Sequence, residues 1–91
     1  MGFPEELRKR AVWEKASIIP FHDPGEWRSD EYGQTIRYSA HGDRNSPWGW
    51  EIDHIWPSAL GGLDGYANLR PLHFKMNASL GGVLGAYLGR T

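Results

Sequence analysis

Apolar residues at Leu7, Ala11 and Val12, with Trp13 or Ala16 at the margin, fall at helical spacing. They predict a packing helix over residues 4–16. Pro4 suits a first helical position, and Glu5 and Glu6 favour the positive end of the helix dipole. Lys9, Arg10 and Lys15 lie toward the other end. Ser17 to Gly25 then reads as a connector, punctuated by Pro20, Asp23-Pro24 and Gly25. His22 in this connector reads as an exposed loop histidine, with a metal ligand or second base as its functional alternative. Trp27 to Tyr38 predicts a hairpin. Asp30-Glu31-Tyr32-Gly33 supplies the turn, and Thr35, Ile36 and Tyr38 favour a strand. Ala40 to Pro47 is a polar loop containing His41, and its role is open.

From Trp50 to Asn77 the chain reads WEIDHIWPSALGGLDGYANLRPLHFKMN. Trp50, Ile52 and Ile55 have strand character. Strict alternation would put Asp53 and His54 on opposite faces, so both reach one site only if the strand bends or ends there. Pro57 just beyond makes an end reasonable. Gly61, Gly62, Asp64 and Gly65 mark a long loop. Leu69 to Leu72 reads as a short strand, and His73 to Leu80 as one or two helical turns. Gly81, Gly82, Gly85 and Gly89 argue against a long helix, so residues 81–91 are expected to form a short terminal turn, with Val83, Leu84, Tyr87 and Leu88 packing on the core. The expected class is α+β, in one domain spanning residues 1–91.

Composition narrows the picture. A chain of 91 residues buries only roughly 60–65% of its unfolded surface. Five tryptophans and seven other aromatics offset this by burying a large area each. The absence of cysteine rules out disulfides and thiolate metal sites. No apolar run approaches the ~20 residues of a membrane span. The first residues lack the form of a signal peptide, so a cytoplasmic protein is expected. The net charge of −1 is not the basic balance expected of a nucleic-acid binder. Carboxylates neutralised by a bound ion and a local clustering of Arg28, Arg37, Arg70, Lys75 and Arg90 would soften that objection.

The candidate chemistry sits in the second half. Asp53 offers carboxylate oxygen and Asn77 amide oxygen, hard ligands suited to Mg²⁺ or Mn²⁺. His54 can act as a base, since a free imidazole titrates near neutral pH. A base beside a hard cation is what phosphodiester hydrolysis requires. Asn68, before the second strand, can tie its loop down through bonds to backbone. His73 precedes Asn77 by four residues, which on a helix would put both on one face. It is a candidate extra ligand or phosphate contact, or else a cap.

Asp53-His54, Asn68 fourteen residues after His54, Asn77 nine further on, and the phrases GWEIDHI, GG and NLRPLH together resemble the HNH endonuclease family. VWEKA and R-x-D-x-x-G-x-x-I in the first half are weaker likenesses. The resemblance implies a ββα-metal core, here with an N-terminal helix and an added β-hairpin. It implies His54 as general base, a single divalent metal held by Asp53 and Asn77, and Asn68 fixing the loop so that the base is oriented. The implied reaction is metal-dependent cleavage of DNA leaving a 5′-phosphate and a 3′-hydroxyl.

Two departures matter. Many members carry a zinc-binding Cys-x-x-Cys where this chain has His73 and Met76, so no structural zinc is expected. Relatives often have lysine at the position of Leu80, and its loss weakens the case for tight DNA binding. The expected partner is duplex DNA, with RNA as the open alternative and a homodimer or larger complex as the assembly. A nuclease-like binding module and a toxin domain are the competing functional readings. The plain alternative is an α+β domain with satisfied polar residues.

Overall fold

The computed structural model describes residues 4–87, and the side chains of residues 4–80. Helix α1 spans Glu5–Trp13 and starts behind Pro4, with Glu5 and Glu6 in its first turn. It is shorter than the predicted 4–16. Its buried residues are Val12 and Trp13, while Leu7 is 54% exposed. At about 100° per residue, Leu7 lies on the far side of the cylinder from that pair. Of the expected face, Val12 is buried as predicted but Leu7 is not, and Trp13, predicted at the margin, is at the centre.

The first half closes with a three-stranded antiparallel sheet in the order β1-β2-β3. Strand β1 is Ser17–Ile18, β2 is Trp27–Ser29 and β3 is Thr35–Arg37. The predicted hairpin is β2–β3, with Trp27 opposite Arg37 and Ser29 opposite Thr35. Gly33 at φ 83° supplies the left-handed residue of its turn. Strand β1 lies in what was predicted as connector. Two residues are too few to show a period-2 pattern.

The second half pairs β4, Trp50–His54, with β5, Leu69–His73, antiparallel. Trp50 faces His73, Asp53 faces Arg70, and His54 faces Leu69. His73 is thus the last residue of β5 and not the start of the helix. Helix α2 follows at Phe74–Tyr87 and packs on both strands. It runs through Gly81, Gly82 and Gly85, so the expectation of one or two turns is corrected. Glycine weakens a helix by only about 1 kcal/mol against alanine, whereas proline would break it, and 74–87 contains none. The expected packing of Val83, Leu84, Tyr87 and Leu88 lies outside the described side chains. No described helix is long and apolar enough to cross a membrane.

The halves share one core. Trp13, Ala16, Ile36 and Trp50 pack together, with Tyr38 and Ile52 against them. The Trp13 and Trp50 rings lie 5.2 Å apart, and each indole N–H finds a carbonyl, Pro24 for Trp13 and Tyr38 for Trp50. Two polar clamps reinforce this junction. The Lys15 ammonium, two residues past α1, donates to the carbonyls of Tyr66 and Leu69 ahead of and at the start of β5. The buried Asp30 carboxylate accepts from the Tyr32 and Gln34 amides of its own turn and, through its other oxygen, from His73 N–H at 2.9 Å. The hairpin turn is thereby fastened to the β5–α2 junction.

Candidate active site

The end of β4, the loop after it, β5 and α2 enclose a cleft of about 290 Å³. Asp53, His54, Arg70, Asn77 and Leu80 all line it. The alternation problem is resolved by position: β4 ends at His54, and the chain turns away at Ile55 and Trp56. Asp53 and His54 therefore reach the same space.

Strand register makes Asp53 and Arg70 cross-strand partners, and their side chains meet, Arg70 Nε to Asp53 Oδ2 at 2.8 Å. Arg70 also pairs with Glu31 at 3.1 Å. Burial works against its charge, but the bond to Asp53 and the field of both acids outweigh it and hold the guanidinium above its ordinary pKa. Among the described residues, Oδ1 of Asp53 accepts no hydrogen bond.

Asn77 donates from Nδ2 to Glu51 Oε1 at 2.8 Å, which leaves its carbonyl oxygen as the group free for the cleft. Glu51 is itself gripped by Arg44 through two bonds of 2.7 and 2.8 Å. That bond with Arg44 first, opposed by burial and helped by Asn77, holds the Glu51 carboxyl below its ordinary range.

His54 Nε2 lies 2.6 Å from Asp64 Oδ1, in the loop between Gly62 and Gly65. A carboxylate only accepts, so the proton sits on Nε2 and the lone pair on Nδ1 whenever the ring is neutral. The same bond holds the Asp64 carboxyl below its usual range.

The loop that carries Asp64 is closed by Asn68. Its Oδ1 accepts from Trp56 N–H at 2.8 Å, and its Nδ2 donates to the carbonyls of Trp56 and Leu63. Gly61 sits at φ 92°, and any side chain at Gly62 would collide with the Trp56 carbonyl, 1.8 Å from where a Cβ would stand. The double glycine is thus a requirement of this tight loop.

The remaining candidates lie elsewhere or are engaged. His73 is buried; its Nε2 donates to the Pro47 carbonyl at 2.8 Å and its Nδ1 accepts from Lys75 N–H at 3.1 Å. Both ring nitrogens are used, and the residue caps α2. Because it belongs to β5, the reasoning that put it on a helical face with Asn77 does not hold. Arg28 spends its guanidinium on the carbonyls of Pro24, Glu14 and Ala16. Arg37 pairs with Glu26 and lies over the Trp27 ring. Neither borders the cleft. Arg90 lies outside the described residues. Lys75 is exposed beside Arg44, on a separate shallow depression of about 260 Å³.

Sequence reasoning missed Glu51, Arg44 and Asp64. Glu51 carried a signal, since it shares a strand face with Asp53. Nothing local marked Arg44 or Asp64, whose partners are brought close only by folding.

Asp53 and Asn77 offer hard oxygens of the kind that a divalent cation takes. Among the described residues, no cluster of three or more histidine or acidic side chains surrounds a common position. What the cleft offers is one carboxylate oxygen and one amide oxygen, a set suited to an ion that keeps most of its water, as Mg²⁺ does. No protein-family model, no curated protein and no solved structure matches the chain.

Proposed function

We propose that this chain is a metal-dependent endonuclease of the HNH, ββα-metal type, hydrolysing DNA phosphodiester bonds. The observation that supports this reading most is the convergence of Asp53, His54 and Asn77 on one cleft, with Asn68 closing the loop beside it. Asp53 and Asn77 would hold one Mg²⁺ or Mn²⁺, which when bound supplies positive charge to the phosphate and the leaving oxygen.

The chain's own residues do the rest. His54 takes a proton from water at Nδ1, because Asp64 holds Nε2. Asn68 and the glycine pair keep the loop, and so Asp64, in place. Arg70 holds Asp53 in position from the facing strand and presents positive charge to the cleft wall.

A second reading is favoured by one feature of the cleft. Leu80, where relatives often carry lysine, lines it, and Arg28 and Arg37 are engaged within the fold. These fit a nuclease module whose nucleic-acid targeting is supplied by a larger complex.

Plasmid nicking with Mg²⁺ or Mn²⁺ tests the first reading. His54→Ala should lose cleavage by ~10²–10⁴-fold while keeping cation binding, because the base acts on water. Asp53→Ala and Asn77→Ala should lose cation affinity along with activity. Cleavage by His54→Ala at the parental rate would refute the assignment of the base.

A further inference from the structure

We infer that Glu51 is a positioning residue for the cation site: its carboxylate, clamped by Arg44, dictates which way the Asn77 amide faces. The inference rests on the cation-binding reading given above and deepens it.

An asparagine side chain has two nearly isosteric orientations. One presents a carbonyl oxygen to the cleft, the other an NH₂ group with no lone pair for a cation. Packing distinguishes them poorly, so a polar partner must decide. The partner of Asn77 is Glu51 Oε1, at 2.8 Å. Because a carboxylate carries no proton to donate, only the NH₂ can face it. The carbonyl oxygen is then left for the cleft that Asn77 lines with Asp53.

Glu51 could not perform this role if it swung freely. Arg44 prevents that with a two-point grip, Nε to Oε2 at 2.7 Å and Nη2 to Oε1 at 2.8 Å. Such a fork fixes the carboxylate plane as well as its position. Oε1 is shared, taking one bond from Arg44 and one from Asn77. The Glu51 side chain is only 21% exposed, whereas that of Arg44 is 57% exposed. The relay therefore runs from the polar loop 40–47 through β4 to α2, and gives that loop a task.

The alternation of β4 explains why Glu51 can do this. Residues 51 and 53 share a face, and α2 packs against the strand. Asp53 would contribute an oxygen directly, and Glu51, two residues earlier, sets the oxygen that α2 contributes.

Two readouts test the inference. In the metal-free protein, the Asn77 side-chain NH₂ signals in an NMR spectrum should move markedly in Glu51→Ala and stay close to parental in Glu51→Gln, whose carbonyl can still accept. In Mn²⁺ titration calorimetry, Glu51→Ala should bind ~10–100-fold more weakly, the usual effect of losing an outer partner of a ligand. Glu51→Gln should recover most of that loss. Unmoved NH₂ signals in Glu51→Ala would overturn the inference, as would Mn²⁺ affinity within about twofold of a parent that binds the ion. A parent that binds no Mn²⁺ would instead remove the endonuclease reading, and this role with it.

Discussion

Asp30 is the place where a single change should show how the two halves of the molecule are joined. The residue is 3% exposed, and its side chain accepts three backbone N–H bonds, from Tyr32, Gln34 and His73. Asp30→Ala orphans all three donors. The His73 amide is buried, so leaving it unpaired costs about 1–3 kcal/mol. Tyr32 and Gln34 lie in an exposed turn where water can replace the carboxylate, so each loses about 0.5–1 kcal/mol. The total is about 2–5 kcal/mol, a large share of the ~5–15 kcal/mol that stabilises an ordinary domain. At roughly 4–8 °C per kcal/mol for a domain of this size, Tm should fall by about 10–40 °C. Asp30→Asn keeps one carbonyl acceptor and turns an NH₂ toward a donor, so it should cost about 1–3 kcal/mol and stay folded. Urea denaturation gives the free energies, and hydrogen exchange at the His73 amide reports the junction itself. Because Asn77 lies one turn into α2, Asp30→Asn should also weaken Mn²⁺ binding. An Asp30→Ala protein within about 1 kcal/mol of the parent, or one with the His73 amide still protected, would refute the clamp.

Three further outcomes follow from the same contacts. Asn68→Ala should cost about 1 kcal/mol in urea denaturation and lower cleavage while leaving Mn²⁺ affinity nearly unchanged, since its bonds close the loop and touch no proposed ligand. Leu80→Lys, which places an ammonium in the cleft wall, should steepen the salt dependence of duplex binding by a slope of about −0.9; equal slopes would show that position 80 does not meet phosphate. The Tyr38 phenol is pushed up to about 12, by burial first and then by the bond it donates to Glu6. The folded state thus holds this proton more tightly than the unfolded chain, whose tyrosine titrates near ~10. Its contribution is complete below that pH and is lost as pH rises toward about 12, and Tyr38→Phe should erase that step from a plot of Tm against pH.

The parts of this fold that were legible in the sequence are those written in local pattern. The β2–β3 hairpin followed from its turn residues and β-branched flanks, and β4, the loop and β5 followed from apolar runs broken by glycine and proline. The same holds for Asn68, whose type and place before β5 suggested a bond to backbone. What was not legible was decided by distant contacts. The buried face of α1 depends on where Trp50 and Ile36 stand, not on the spacing of Leu7 and Ala11. The assignment of His73 turned on a single residue of register, since β5 extends one position further than its apolar run. The length of α2 was underestimated because glycine was given the weight of a helix breaker, although its penalty is small beside that of proline.

The weak net charge also takes on a structural meaning. The basic side chains that looked available for phosphate are largely committed to holding the fold. Lys15 bonds two carbonyls of the second half, and Arg28 bonds three of the first. Arg37 and Arg44 each hold an acid, and Arg70 holds two. Arg8 and Lys9 pair with Glu5 and Glu6 along α1. Lys75 has no acidic partner among the described residues and stands at the start of α2. On the proposed reading the cleft would organise a cation and a base, but among the described residues few basic side chains are left free for a duplex to lie along. Its affinity for nucleic acid should therefore depend weakly on salt, and the step that brings substrate to the cleft should depend on surfaces other than the ones that shape it.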